Sequence, residues 1–502
     1  MTVAVLLIPL VGGALVALLG GAARQRAAAL LATIATFVAA LFLPGDPGIE
    51  LPWIPGFGAY FALSPEGAGG LLVLAAALVM IPTVLQAGLR VSERPGGFLA
   101  LLLLLQAGLN GLFLAKDLVL FYLFWEATLI PSLLLLGVWG RERRRQVALK
   151  YLLYTVAGSF LMLITILAIK PLSGAASYRI ADLLAATPTL PLASQVWLLL
   201  GFSSAFAVKL PLWPLHSWLP DFHEQNHPCG AADVAGTLYK VGGFGFFAWA
   251  LPLLPAGAGV VAPVLLGFSA FTALYGAVIA TAQSELKRLL AFASLSHMGL
   301  IGVGLFGLHL AGLNGAIYLL VAQMFSTGGL FLVSGMLFAR RQSFELGAYG
   351  GLAKGAPALA ALSLLVLLAS IGVPGLANFP GEFLSLLGGF QASVVVGVVG
   401  VLAVVVAGVY GVNLYQRLYQ GTGGERVRDL SPLELLVLIP ILTGILWLGI
   451  APNPQLERIE VQSRVVLSQL GPPAAGLTLG GDRCPCRSPI SAGPPSGRRF
   501  CS

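Results

Sequence analysis

The sequence predicts an all-α polytopic membrane protein of about 14 transmembrane helices, and three observations predict it. Of 502 residues, 58% are hydrophobic and only 10% are charged, at a mean hydropathy of +0.91. Apolar runs such as 99–115 and 359–371 recur along the chain almost without charge. Clusters of Gly, Pro and basic residues separate them. Soluble domains carry about a quarter charged residues, and one aqueous core cannot hide this much apolar surface, so a bilayer must serve as second solvent. Backbone groups in lipid must be satisfied within the segment, which selects helices. The Leu, Ala and Gly content without sustained alternation argues against a β-barrel.

Cutting at the Pro, Gly and charge clusters gives spans near 2–22, 27–43, 68–89, 97–115, 118–138, 148–169, 195–214, 231–253, 260–281, 289–308, 312–338, 358–388, 394–416 and 432–451. The first has no basic residue before it and Arg24 and Arg26 after it, the reverse of a cleavable signal, so it reads as a retained helix with an outward N-terminus. Loops after odd-numbered spans carry 17 basic residues, including Arg90, Arg141, Arg143, Arg144, Arg145, Lys287, Arg340 and Arg428. Loops after even-numbered spans carry 3: Lys116, Lys170 and Arg179. This bias places the odd loops in the cytoplasm and both termini on the periplasmic side of a bacterial inner membrane. The net charge of +8 is therefore topology, not a nucleic-acid footprint. Four cysteines, with Cys229 apart from the three in the last nineteen residues, form no disulfide framework.

Six more basic residues lie after the last span, which leaves Lys209 and Lys240 as the two inside apolar segments. Among the acids the clear exceptions are Glu126 in the fifth span and Glu382 in the twelfth, and His297 sits in the tenth. An ionisable group at the bilayer centre costs about 2.5–3.5 kcal/mol and marks function by default. The plainer alternative is a Glu126–Lys209 pair that only sets helix packing. Two spans also carry breakers beside these charges: Lys209-Leu210-Pro211-Leu212-Trp213-Pro214 in the seventh, and the stretch from Gly372 through Pro374, Gly375 and Pro380 to Glu382 in the twelfth. Proline removes a donor and clashes one turn back, so both helices should open mid-membrane, where open backbone survives only in protein or beside water. Interrupted spans five apart predict a repeat, spans 4–8 and 9–13, inverted because five is odd. The domains are then 1–95 (three helices), 96–256 and 257–420 (the two five-helix repeats), 421–470 (a last helix and a short amphipathic end) and 471–502, a disordered Gly/Pro/Arg/Ser-rich tail.

At these residues the chain resembles the antiporter-like membrane subunits of respiratory complex I, specifically the M-type. The resemblance covers about 1–465 and rests on Phe121-Tyr122-Leu123-Phe124-Trp125-Glu126, Lys209-Leu210-Pro211-Leu212-Trp213-Pro214-Leu215-His216, Thr237-Leu238-Tyr239-Lys240, Ser294-Leu295-Ser296-His297-Met298-Gly299 and Gly381-Glu382-Phe383. It implies a fifth-helix glutamate in Glu126, its partner in Lys209, a central lysine in Lys240, a relay in His297 and an outlet group in Glu382. The acid at 382 favours the M-type, since L- and N-type subunits usually carry lysine there. The length disfavours the L-type, which has a long lateral helix. Gln323 departs from a histidine frequent in M-type members, and water or Ser326 would have to bridge there because an amide does not exchange a proton at neutral pH. Neighbouring L- and N-type subunits are the implied partners. No cofactor is expected on this chain, with FMN, iron–sulfur clusters and quinone on partner subunits.

The expected chemistry is a lysine relay. Burial favours release of a lysine's proton and an approaching carboxylate opposes it, so moving Glu126 relative to Lys209 would switch that site. The proton would pass to Lys240, by His297 to Glu382, and out. Arginine would serve badly because it stays charged. His223-Glu224-Gln225-Asn226-His227 matches a zinc-protease pattern, but Pro220 and Pro228 bracket it and no third ligand is apparent. It reads instead as a polar cytoplasmic loop that, with His216, feeds protons inward. Rival functions are an Mrp-type cation/proton antiporter, which deletion and sodium sensitivity would reveal, and a solute carrier, for which no further midplane polar cluster is visible.

Overall fold

The structure, a computed structural model, describes residues 1–237, 240–421 and 427–470. The expectations for the 471–502 tail with Cys484 and Cys486, for Leu238 and Tyr239 of the lysine motif, and for Arg426 lie outside the described residues. The protein is nearly all helical. Among the described residues, 11 helices are long and apolar enough to cross a membrane and three shorter apolar ones accompany them.

With three further helices that complete the bundle (α8a, α12b and α15 below), they run in chain order as α1 (Ala4–Leu18), α2 (Ala22–Leu41), α3 (Ala68–Arg90), α4 (Pro95–Leu114), α5 (Leu118–Trp139), α6 (Arg144–Ser173) and α7 (Leu192–Lys209). They continue with α8a (Ala231–Thr237), α8b (Val241–Leu253), α9 (Pro255–Thr281), α10 (Leu286–Phe306) and α11 (Leu310–Arg341). The last are α12a (Pro357–Ser370), α12b (Asn378–Ala392), α13 (Val394–Tyr419), α14 (Pro432–Ile450) and an amphipathic α15 (Asn453–Leu470).

Two helices, α10 and α11, are buried all round, and the most apolar windows of α2 and α13 are only 33% buried. The most apolar of these helices, α13, is thus among the least buried, with Val394, Val395 and Val405 left exposed. Lipid tails are as apolar as leucine, so packing and not hydrophobic burial holds such a bundle, and small residues set the contacts. A Cβ on Gly276 of α9 would lie 2.6 Å from Ser296 N, and one on Gly299 of α10 would lie 2.2 Å from Ala273 N. The two helices meet backbone to backbone there, and any side chain would force them apart.

The fold departs from the sequence expectation at four places. A short antiparallel hairpin, Ile49–Ile54 with Ala59–Leu63, follows α2, where Pro52, Pro55 and Gly58 had masked the strand signal. Its Tyr60 N–H donates to Asp117 Oδ2 at 3.1 Å. The seventh span does not run to 214: α7 stops at Lys209, because each residue before Pro211 and Pro214 is pushed out of helical backbone. The polar segment after it is not a loop but a helix, Trp218–Gln225, with Pro220 in its first turn, where a missing donor costs nothing. The eighth span, read as continuous, is split, with Lys240 in a turn between α8a and α8b and a π-helical stretch over Phe246–Ala250. The twelfth span opens as expected, between Ser370 and Asn378.

Candidate functional site

The site is built where three helices break. α5 carries Glu126 two turns in from an N-cap in which Asp117 accepts from the N–H groups of Val119 and Leu120 at 2.9 and 3.1 Å. The turn after α7 is held by Leu212 N–H donating to Ala207 O at 2.9 Å and by Trp218 Nε1 donating to Val208 O at 3.1 Å. This fixes Lys209 at the last helical position, 3% exposed. Its ammonium donates to Tyr151 Oη at 3.4 Å and lies over the rings of Trp125 and Tyr151, 5.5 and 5.8 Å from their centroids. Aromatic faces stabilise a cation without neutralising it. Glu126 acts on the same ammonium through space, and Tyr122 holds Glu126 from its own helix.

Glycine brings the second lysine alongside. A Cβ on Gly242 would meet Phe206 O at 2.4 Å and Leu210 N at 2.6 Å, so the start of α8b rests on the end of α7. Lys240, two residues earlier and 4% exposed, donates from Nζ to Gln323 Oε1 on α11 at 2.5 Å. The expected departure at Gln323 is therefore filled by direct contact with the central lysine, and Ser326 does not bridge to it. Ser326 instead donates to Asn378 Oδ1 at 2.9 Å, and Asn378 donates to Ser370 O at 3.1 Å across the gap in α12. The field of Lys240 reaches His297 on α10, and His297 Nδ1 lies 3.5 Å from Glu382 Oε1.

Glu382 sits in a cradle that the break in α12 creates. Gly372, at φ +73°, would place a Cβ 2.0 Å from Glu382 Oε2 and 2.8 Å from Cδ. No other residue leaves room for that carboxylate, and φ in this region already favours glycine. Among the described residues, buried atoms of Glu126, His297, Gln323, Thr327 and Glu382 have no hydrogen-bond partner. Buried polar atoms are normally paired with protein or water.

A second buried cluster was not foreseen. Lys287, counted above as a loop charge, is fully buried and bonds Asp233 of α8a at 2.6 Å, with both side chains at 0% exposure. Lys287 also donates to the carbonyls of Asn226 and His227, each at 3.1 Å. Asp233 Oδ1 takes His223 Nδ1 and Asn226 Nδ2, both at 3.1 Å. The signal was present: Asp233 is an acid in an otherwise apolar segment, seven residues and so two turns before Lys240. His223 stacks on Phe331 at 4.5 Å and is 1% exposed, so this part of the expected polar loop is interior. Glu224 turns away to Arg143 and to Arg288, at 2.5 and 2.6 Å, so the three polar members of the zinc-like pattern face different partners. His216 lies against Tyr275 with Lys150 nearby, itself paired to Asp221 at 2.7 Å. Above this layer, burial pushes the Glu285 carboxyl at the head of α10 up to about 6.

Comparison with known proteins places this geometry in context. Residues 115–408 match the family described as NADH:quinone oxidoreductase/Mrp antiporter, transmembrane. The chain is 42% identical over 461 residues to NADH-quinone oxidoreductase subunit 13 of Thermus thermophilus, covering 90% of this chain and 96% of that one. It is 35% identical over 474 residues to NADH-quinone oxidoreductase subunit M of Rhodobacter capsulatus, covering 89% and 92%. It superposes on a chain of respiratory complex I from Thermus thermophilus with bound NADH at a TM-score of 0.89 and 40% identity, covering 94% of this chain and all of that one.

Proposed function

This chain belongs to the NADH:quinone oxidoreductase/Mrp antiporter membrane family, as an M-type antiporter-like subunit of the complex I kind, and from that premise we propose that it translocates protons through the buried line Glu126, Lys209, Lys240, His297 and Glu382. The observation that carries the reading is the run of contacts from the paired helix breaks to α12. Lys240 bonds Gln323, and His297 faces Glu382 across 3.5 Å, all four side chains being buried.

Protons enter from the face that bears the basic loops, by way of His216. Lys209 holds a proton over its aromatic floor while Glu126 is near, and passes it when that carboxylate withdraws. Lys240 receives it beside the α7 break. Gln323 orients the ammonium but carries no proton itself, so transfer from Lys240 runs to His297 over bridging water. Glu382, free to exchange in its glycine cradle, releases the proton to the opposite side. Moving a charge against a membrane potential requires about 2.3 kcal/mol per 100 mV, within what one shifted ionisation supplies.

The energy comes from redox chemistry in partner subunits, the L- and N-type antiporter-like chains being its neighbours. FMN, iron–sulfur clusters and quinone would then belong to those other subunits. We place the chain in a bacterial inner membrane as fourteen crossings, spans 4–8 and 9–13 forming inverted repeats, with both termini periplasmic.

The test is proton uptake into vesicles carrying the purified complex, measured together with NADH oxidation. Lys209→Ala and Glu126→Ala should abolish most uptake per NADH consumed. Unchanged uptake in either variant would overturn the path.

A further inference from the structure

Between His216 and Lys209 the backbone turn offers a proton almost nothing to travel on. The six intervening residues, Leu210-Pro211-Leu212-Trp213-Pro214-Leu215, hold one polar side-chain group, the indole of Trp213. Trp213 is 38% exposed and packs on Phe268 and Phe271 of α9, with ring centroids at 5.9 and 5.2 Å. His216 lies against the same helix, at Tyr275. Both are engaged by α9, whereas Lys209 meets α6 through Tyr151.

α6 brings hydroxyl groups to the break. Tyr151 Oη accepts from Lys209 Nζ at 3.4 Å, and Tyr154 Oη and Ser217 Oγ lie 2.8 Å apart. Tyr151 and Tyr154 are three residues apart on α6 and so neighbours on its surface, and Ser217 follows His216 directly. Exposure falls along this line, from the half-buried Ser217 and Tyr154 to Tyr151 at 0%. The plainer role for the Tyr154–Ser217 bond is to tie α6 to the helix Trp218–Gln225. Lys150 already makes that tie, donating to Ser217 O at 2.8 Å and to Asp221 Oδ2 at 2.7 Å. Nor is the Tyr154 ring closely packed all round, since it borders a cavity of about 480 Å³ between α6 and α7. The contact with Ser217 orients its hydroxyl, and a pair of hydroxyls can reverse the direction of donation.

We propose that Ser217, Tyr154 and Tyr151 carry the entering proton from the level of His216 to Lys209. The inference rests on Lys209 holding a proton in the path proposed above. Ser217 Oγ takes a proton from His216 or from water and gives its own hydrogen to Tyr154 Oη. Tyr154 gives its hydrogen, over one bridging water, to Tyr151 Oη, and Tyr151 gives its hydrogen to the neutral amine of Lys209. Each hydroxyl ends with one hydrogen, as it began, and the Lys209 ammonium is the ion formed. Lys150, neutralised by Asp221, positions Ser217 for the first step.

The experiment uses the purified complex containing the full chain in vesicles, with proton uptake and NADH oxidation read together. Loss of a positioned proton carrier slows a transfer by about 100-fold or more, so Tyr154→Phe should lose most of the uptake per NADH that Lys209→Ala loses, with assembly intact. Ser217→Ala should do likewise, and Ser217→Thr, which keeps the hydroxyl, should restore most of it. A slowed relay also shows in heavy water, where uptake by Tyr154→Phe should fall by a larger factor than uptake by the parent. Normal uptake in Tyr154→Phe beside a deficient Lys209→Ala overturns this inference and leaves the path standing, and normal uptake in both overturns both. Equal losses in Ser217→Ala and Ser217→Thr, or a heavy-water response in Tyr154→Phe no larger than the parent's, would make the contact structural and overturn the proposal. Should Tyr154→Phe fail to assemble, the two Ser217 variants decide the matter.

Discussion

Asp233 and Lys287 provide the most direct test of how this bundle holds charge. Both are fully buried and 2.6 Å apart. Removing one member of a buried pair typically costs about 3–5 kcal/mol, because the other is left charged and uncompensated, whereas replacing both by apolar residues is often close to neutral. The surroundings here make the two losses unequal. Asp233→Leu leaves the Lys287 ammonium with neutral groups, the carbonyls of Asn226 and His227 and the Phe344 ring, so about 4 kcal/mol is expected. Lys287→Met leaves Asp233 with Asn226 and with His223, which can accept a proton and supply the missing charge, so about 3 kcal/mol is expected. The double variant should cost no more than about 4 kcal/mol, a coupling of about 3 kcal/mol. Reversible unfolding of the full chain in mixed micelles, titrated with sodium dodecyl sulfate, reads all four corners of the cycle. Lys287→Met should recover part of its loss at pH 5.5, and Asp233→Leu should not. Additive single losses, or a Lys287→Met variant as stable as the parent, would refute the reasoning.

Gly372→Ala should combine about 1–2 kcal/mol of left-handed backbone strain with eviction of the Glu382 carboxylate. Its proton uptake per NADH should fall far more than its assembly, and a variant that pumps normally would remove Gly372 from the site. Gln323→Leu should cost about 1–3 kcal/mol by stripping the acceptor from Lys240, and Gln323→His should restore it; thermal melting of the complex reads both. Glu285 gives a pH signature. Burial raises its carboxyl from 4.5 to about 6, so the folded chain holds that proton more tightly than the unfolded one. The associated stabilisation of about 2 kcal/mol is full below pH 4.5 and is lost as pH rises through 6. Glu285→Gln should flatten the melting temperature across that window, and an unchanged slope would assign the effect elsewhere.

The sequence by itself determined what the solvent dictates. An average composition this apolar requires a bilayer, and a charge that cannot be explained by a loop is visible as soon as loops are counted, which is how Lys209, Lys240, Glu126 and Glu382 stood out. The breaks after Lys209 and Ser370 were legible too, because proline and glycine act on the local backbone. What needed the tertiary structure is everything decided by a distant neighbour. Lys287 is the second residue of α10 and looks like any basic residue at a membrane face; it is interior because Asp233 and the Asn226 and His227 carbonyls, some 60 residues earlier, fold over it. The split at Lys240 and the partnership with Gln323, 83 residues away, are equally non-local. Hydropathy is a sum over adjacent residues, and a hydrogen bond between helices is not. The helices and their unusual charges are thus written in the chain, while the partners those charges keep are set by packing.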